Sequence, residues 1–436
     1  MKAYMYSTLN KQHSTLNYAM MCRLASVVLL LIVMMQEGIA QDVKGIRVHG
    51  FLSQGYLKST GNNDVFGNSS GNGSFDFREI GANASYRPLP NLQFSGQLLS
   101  RSAGEDSKGG IRVDYGFVDY TAISTESMDF GIRLGRTKNP LGFYNDTRDV
   151  PFTRPSILLP QSIYFDRTRN LGLASDGVQL YGESRNSWGD LNAQFGVVFP
   201  QAGDRSTEFA ILQGDRLGHI TTNLSYIGRL IYEYDGGRVR LALSGAQVNT
   251  GYNAAQQNDT YSGLGTFQFT PIIFSAQYNS ERWSLTSEYA IRHIERQDFG
   301  TVRNVNVTGE SYYFQGIYRF SPNWEGVLRY DAYYADRTDR DGKQFLIDNK
   351  IPPELQGNIP AHSRFAKDIT VGLRWNVTPS IMLRAEYHYI NGTGWISPLD
   401  NLAPGMKHKP SGPGLFLPAN TDQHWNLFAF QASYRF

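Results

Sequence analysis

The feature that most constrains the fold is a series of short segments in which apolar and polar residues alternate. In the last of them, HWNLFAFQASYRF, one face carries Phe428, Phe430, Tyr434 and Phe436, while the other carries mainly polar residues such as Gln431. A period of two residues indicates a β-strand whose two faces meet different surroundings. The same pattern recurs along the chain, and it predicts an all-β protein.

Sixteen such segments are predicted as strands. They cover residues 44–58, 73–87, 90–101, 112–122, 127–138, 172–184, 188–200, 220–235, 237–248, 263–279, 281–295, 308–320, 323–336, 364–376, 379–391 and 421–436. The connections after even-numbered strands are tight, as in YDGGR and NSER, whereas those after odd-numbered strands are mostly long, the shortest being 102–111. This parity is typical of an outer-membrane barrel, with short periplasmic turns at one rim and long surface loops at the other.

The expected surroundings explain why the sheet should close. An open sheet edge in a bilayer leaves unpaired backbone groups in hydrocarbon, at a cost of several kcal/mol each. We therefore predict a sixteen-stranded antiparallel transmembrane β-barrel in which the last strand pairs with the first. The terminal Phe436 is expected to be read by the barrel-insertion machinery. The alternative is a soluble sandwich, which has no reason to sort its loops by parity.

Residues 1–40 are predicted to be a removed signal peptide. Basic residues precede an apolar run of about a dozen residues, LASVVLLLIVMM, which is shorter than the roughly 20 residues of a membrane-spanning helix. We expect cleavage after Ala40. The lone Cys22 precedes the apolar run, and this position argues against a lipidated cysteine. Residues 41–436 are then predicted to form a single transmembrane barrel domain without cysteine.

The charge balance bears on the partners. The chain carries 41 Lys and Arg against 39 Asp and Glu. Near neutrality gives no overall attraction to nucleic acid, so no nucleic-acid partner is predicted. The expected partners are outer-membrane lipid and small anionic or neutral solutes.

The lining of the barrel is predicted from the more polar face of each strand. Arginines on this face outnumber carboxylates, and charged rings in a pore select ions of the opposite sign. The arginines assigned to the lumen wall are Arg133, Arg229, Arg240, Arg292, Arg329, Arg374 and Arg384. A weak preference for anions follows, unless these arginines pair across neighbouring strands and only fix the wall. The fourth and tenth strands do not alternate cleanly enough for their faces to be assigned.

The long third surface loop, residues 139–172, is predicted to fold into the lumen as the pore constriction. Its prolines stiffen it, and apolar stretches such as ILLP suit a segment packed on an inner wall. Its candidate constriction residues are Arg148, Arg154, Arg167, Arg169, Asp146, Asp149 and Asp166. The alternative is a rigid cap outside the barrel or at a subunit contact.

The segments GRTKNPLG and RTRNLGLASDGVQLYG, which flank this loop, resemble the phosphate-selective porins O and P and their relatives. That family leads into its constriction loop with a Gly-x-x-Lys-x-Pro-Phe-Gly pattern. Here Gly135, Lys138, Pro140 and Gly142 match, and Leu141 replaces the usual Phe. The resemblance implies a sixteen-stranded and trimeric pore. It does not imply phosphate selectivity, because the family's phosphate-binding residues cannot be placed one by one on this chain.

Other functions are weighed against the porin. An outer-membrane hydrolase would need a Ser/His/Asp arrangement on one rim, and none can be placed. Glu386 and His388 share a lumen face and could seat a metal ion, although a solvated wall pair is favoured. No catalytic residue, metal or cofactor is therefore predicted. A plugged structural or adhesive barrel stays open as an alternative to an anion-preferring diffusion channel.

Overall fold

The structure is a computed structural model that describes residues 45–212, 214, 218–254, 265–299, 304–350, 359–402 and 420–436. The predicted signal peptide, residues 1–40, lies outside the described residues. One continuous antiparallel sheet contains all the strands. They are β1 Ile46–Ser59, β2 Ser74–Leu89, β3 Leu92–Ala103, β4 Ser107–Ser124, β5 Met128–Lys138, β6 Ala174–Asn186, β7 Gly189–Pro200, β8 His219–Thr222, β9 Ser225–Tyr234, β10 Val239–Asn253, β11 Thr266–Asn279, β12 Trp283–Gln297, β13 Val305–Ser321, β14 Trp324–Tyr334, β15 Phe365–Asn376, β16 Ile381–Gly392 and β17 His424–Arg435.

Strands β8 and β9 are two parts of one wall strand. Both pair with β10, β8 near its end and β9 along its first half. The wall therefore has sixteen positions, and the predicted sixteen-stranded barrel is confirmed. Each predicted strand overlaps an observed one.

The barrel closes between its first and last strands. β1 pairs with β17 from Phe51 opposite Arg435 to Ser59 opposite Leu427. The amide of Phe436 donates to the carbonyl of Gly50 at 3.1 Å, and a Cβ at position 50 would lie 2.3 Å from the Phe436 ring. Closure leaves no free edge, as a sheet in hydrocarbon requires.

The two faces of the wall differ as the alternation predicts. Phe430 is 52% exposed on the outside, while Glu288 and Arg292 are buried inside. Trp324 and Trp375 stack at 5.1 Å near the short-turn rim, as in the aromatic girdles of membrane barrels.

One predicted connection is wrong. β4 begins at Ser107, so three residues join it to β3, instead of the loop predicted over 102–111. The pairing of β3 with β4 shifts register twice in this region, and Gly109 has a φ of +79°. These irregularities break the alternation that marks a strand in the sequence.

The helices are short and lie in the connections. They are α1 Arg169–Leu173, α2 Arg205–Leu212 and α3 Lys343–Asp348, with single 3-10 turns at Pro151–Thr153 and Ala361–Arg364. Among the described residues, no helix has the length and apolar character needed to cross a membrane.

Candidate functional site

The connection between β5 and β6 lies inside the barrel. We call residues 139–173 the inner segment. Its backbone is held by carboxylates of the wall: the amide of Leu158 donates to Glu386 on β16, and that of Ser162 donates to Asp331 on β14, each at 3.3 Å. Most of its side chains are buried. The inner segment is thus bound to the wall through its backbone.

One buried carboxylate, that of Glu288 on β12, accepts four hydrogen bonds at this contact. It accepts hydrogen bonds from the amide of Phe143 at 2.9 Å and the hydroxyl of Tyr164 at 2.5 Å, both in the inner segment. The wall hydroxyls of Ser275 and Tyr313 donate to it at 2.6 and 2.9 Å. Sequence reasoning did not single out Glu288 as a site residue, because its partners lie up to 145 positions away.

Two glycines of GRTKNPLG meet steric demands where the chain enters the lumen. Gly142 has a φ of +58°, and a Cβ there would lie 2.3 Å from the Tyr164 hydroxyl. Gly135 has a φ of +124°, and its Cβ would lie 2.4 Å from the carbonyl oxygen of Gly116. Since other residues rarely adopt this backbone region, both positions require glycine.

The lysine of the same motif ties the wall to the inner segment. Lys138 Nζ donates to Asp114 on β4 at 2.6 Å and also contacts Asp149. Arg169, at the start of α1, contacts the same Asp149. Burial, together with the neighbouring guanidinium of Arg101, holds the pKa of Arg169 well below its usual range. These predicted constriction charges therefore form a buried network.

Two further arginines of the predicted constriction are also buried. Arg154 forms a bidentate pair with Glu79 on β2, at 3.0 and 2.6 Å. Arg148 donates to the carbonyls of Tyr164 and Phe165 at 2.9 and 3.1 Å, and burial lowers the pKa of Arg148 to about 10. Both side chains hold the inner segment in place and are at most 5% exposed.

The remaining carboxylates of the predicted constriction are paired too. Asp146 accepts two hydrogen bonds from Arg229 on β9, at 2.9 and 2.6 Å. Asp166 accepts from Arg101 on β3 at 2.8 Å and from Gln161 at 3.1 Å. The structure thus brings the predicted acids together with wall arginines.

Arg167 differs from the other predicted residues of the inner segment. It donates to the Tyr333 hydroxyl at 3.2 Å, and its guanidinium lies 5.8 Å from the centre of that ring. Within the described part of the chain, it forms no ion pair with a carboxylate. The described partner of Arg167 is therefore an aromatic ring with its hydroxyl, and not a carboxylate.

The predicted wall arginines fall into three groups. The first group donates hydrogen bonds to the inner segment and consists of Arg229, Arg329 and Arg384. The second group pairs with wall carboxylates: Arg133 with Asp119, Arg240 with Glu233, and Arg374 with Glu325. The third is Arg292, which donates to two backbone carbonyls of β13 and β14. Arg292, Arg329 and Arg384 are at most 5% exposed. The inner segment covers Arg329 and Arg384, and the rings of Phe165 and Tyr333 lie over Arg292.

Open space remains on the side formed by β3 to β7. A cavity of about 190 Å³ lies between this wall and the inner segment. A second cavity, of about 320 Å³, extends toward the short turns and shares Phe117 and Arg133 with the first. We call the two together the wall passage. The first cavity is also lined by Lys138, Asp146 and Gln194.

A larger cavity of about 490 Å³ lies on the opposite side, between the inner segment and the loop-side halves of β11 to β14. We call it the arginine cavity. Its arginines are Arg148, Arg167, Arg169, Arg292, Arg296 and Arg364, and its aspartates are Asp336, Asp339 and Asp348. Positive charges are thus in excess at the loop-side entrance.

The predicted pair of Glu386 and His388 is buried, not solvated. His388 is 1% exposed, its Nδ1 lies 2.8 Å from Asp368, and its Nε2 lies 3.4 Å from Glu386. The described residues contain no group of three or more His, Cys, Asp or Glu arranged to hold a metal ion. Glu386 also binds the backbone of the inner segment, so this cluster is part of its attachment.

Comparisons with known proteins give matches in structure only. No family model and no curated protein matches the sequence. The anion-selective porin from Comamonas acidovorans superposes with a TM-score of 0.52 at 14% identity, over 90% of this chain and 99% of that chain.

Two other similar structures are the outer-membrane channel DcaP of Acinetobacter baumannii and OmpT of Vibrio cholerae in its trimer form. DcaP has a TM-score of 0.52 at 12% identity, over 92% of this chain and 99% of its own. OmpT has a TM-score of 0.51 at 11% identity, over 90% and 99%. The resemblance to porins O and P rests on sequence motifs and stays a prediction. The chain has the barrel fold of the outer-membrane porins.

Proposed function

We propose that the chain is an outer-membrane porin, a water-filled diffusion channel for small hydrophilic solutes. The observation that carries this proposal is the position of the inner segment inside the barrel, with open space left beside it. Buried contacts hold it against β10, β12, β14, β16 and β2, and ion pairs of Asp166 and Asp149 reach β3 and β5, yet two cavities remain along β3 to β7. The inner segment would then act as the constriction. A barrel of sixteen strands leaves room for such a passage.

A mild preference for anions is part of the proposal. In the wall passage, Arg133 and Lys138 are balanced by Asp119, Asp114 and Asp146. The arginine excess lies instead in the arginine cavity at the loop side. Anions would therefore be enriched at the loop-side entrance, before they reach the wall passage.

We also propose an outer-membrane location, a homotrimer and recognition of Phe436 by the insertion machinery. The apolar outer wall and its aromatic rim support the location. The structure of OmpT described as a trimer form supports the assembly. No catalytic role is proposed.

Ion conduction tests this function. The refolded protein would be inserted in planar bilayers, and its conductance and zero-current potential would be measured across a KCl gradient. We expect steps of conductance in threes and a potential that favours chloride. A potential that favours potassium would overturn the anion preference, and a dimeric step pattern would overturn the trimer.

A plugged structural barrel is the second candidate, because the inner segment lies inside the lumen. Its side chains are buried from Ser156 to Tyr164 without interruption. Folded protein that gives no conductance, while it keeps its heat-modifiable band on a gel, would favour this candidate over the porin.

A further inference from the structure

The arginine cavity has a chemistry that a simple diffusion channel does not need. Three of its guanidinium groups, those of Arg167, Arg292 and Arg364, lie over aromatic rings. Arg292 lies 4.4 Å from the centre of the Tyr333 ring, and Arg364 lies 4.3 Å from that of Phe345. Within the described ranges, none of the three forms an ion pair with a carboxylate.

The electrostatics of this group favour an incoming anion. Burial lowers the pKa of Arg364, and the positive charge of Arg167 acts in the same direction, while Tyr333, Asp339 and Asp336 act against it. Arg292 is 4% exposed, and its Nε has no hydrogen-bond partner. Arginines that lie close together without carboxylates repel one another, and an anion between them would relieve the repulsion.

The facing wall of the cavity is apolar, although it lies on the lumen side of the barrel. Phe269 on β11 is opposite Ile294 on β12, and Ile273 is opposite Ala290. All four belong to or pack on one apolar cluster. This arrangement explains why the tenth predicted strand does not alternate: β11 carries apolar residues on both faces.

We propose that the arginine cavity binds a carboxylate with an apolar, aromatic body. The carboxylate would lie between Arg167, Arg292 and Arg364, and the ring would pack on the apolar wall of β11 and β12. A cavity of about 490 Å³ is in the usual size range of small-molecule sites. This inference rests on the proposed function, since it names the class of solute that the channel selects.

The charged groups around the site are consistent with one extra negative charge. Asp339 accepts hydrogen bonds from the amides of Gln344 and Phe345 at 3.1 and 2.7 Å, and Asp336 accepts from Thr338. These aspartates are thereby engaged by their own loop. Arg167 and Arg292 donate to a tyrosine hydroxyl and to backbone carbonyls, which leaves their positive charge without a carboxylate partner within the described residues.

Benzoate is the probe, and its binding is measured by calorimetry on the refolded protein in detergent, beside its block of the KCl current. Acetate and benzyl alcohol serve as controls that lack the ring or the charge. We expect benzoate to bind at least about tenfold more tightly than either control, a difference of about 1.4 kcal/mol, because each control lacks either the ring or the charge. Equal binding of benzoate and either control would overturn the proposal.

Variants separate the site from the rest of the lumen. The double change Arg167→Gln with Arg364→Gln should weaken benzoate binding by about tenfold or more. The matched control Arg319→Gln removes a lumen charge near the short-turn rim, and it should leave binding unchanged. Unchanged binding in the double variant, with folded protein confirmed by gel shift, would contradict the site.

Phe269→Ser should weaken the binding of benzoate more than that of acetate, and an equal effect on both would count against the apolar wall.

The two proposals fail in different ways. Conductance without benzoate binding would overturn the ligand site and leave the porin standing. Benzoate binding by a protein that does not conduct would support the site and overturn the diffusion channel.

Discussion

The arginines on the two sides of the lumen have opposite surroundings. Arg154 and Arg384 meet carboxylate or carbonyl oxygens under the inner segment and are buried. Arg167 and Arg364, in the arginine cavity, meet aromatic rings and have no carboxylate partner within the described residues. The same residue type therefore fixes the inner segment in one region and offers charge to a solute in the other.

The largest effect is expected where the inner segment is attached most densely. Glu288→Ala should lower the free energy of unfolding by on the order of 3–5 kcal/mol, because four buried donors lose one acceptor. Urea unfolding in lipid vesicles measures the loss. The control Glu233→Ala breaks a half-exposed pair with Arg240 and should cost under about 1 kcal/mol. Equal losses in the two variants would contradict the role of Glu288.

The next effect concerns the buried pair of Arg154 and Glu79. Arg154→Met should destabilise the fold by about 3 kcal/mol, since it removes the closest cation from the buried Glu79 carboxylate and leaves Arg101 at 3.5 Å. Adding Glu79→Gln should restore part of the loss. A double-mutant cycle gives the coupling, and additive effects would show that the two side chains do not depend on each other.

Selectivity should respond to the other group of arginines. Arg167→Glu with Arg364→Glu should move the zero-current potential toward cations, with a change in the permeability ratio of about threefold. Arg374→Glu, at a residue that already pairs with Glu325 near the short turns, should move it less. The bilayer measurement described above compares them. A larger shift for Arg374→Glu would mean that charges near the short turns, and not those of the arginine cavity, set the ion selectivity.

The smallest effect is expected at an exposed pair. Arg238 and Asp235 lie 2.9 Å apart in a short turn and are about half exposed. Arg238→Ala should change the free energy of unfolding by less than about 1 kcal/mol, because water screens the pair. A loss as large as that of Arg154→Met would mean that burial does not decide the difference.

The strands could be predicted from the sequence because their signal is local. Alternation within a dozen residues marks each strand, and closure follows from the surroundings of a membrane barrel. The alternation is lost at β4, where the pairing with β3 shifts register. It is also lost at β11, because the side chains on its inner face, along the arginine cavity, are apolar too.

The candidate site was less predictable, because its contacts are not local. The sequence identified the charged residues of 139–172 but could not tell which are buried. Asp146 meets Arg229, and Arg154 meets Glu79, across 83 and 75 positions. Tyr333 and Arg364 belong to no recognised sequence motif, and they come close to Arg167 only in the folded barrel.

The central claim is that solutes pass along β3 to β7 and not between the inner segment and the opposite wall. Cysteine accessibility tests it directly, because residues 41–436 contain no cysteine. Gln194 lines the wall passage, and Ser311 is fully buried on β13, so the two variants compared are Gln194→Cys and Ser311→Cys. A charged thiol reagent should reduce the single-channel current of the first variant and leave the second unchanged. Loss of current in Ser311→Cys, with Gln194→Cys unaffected, would contradict this account.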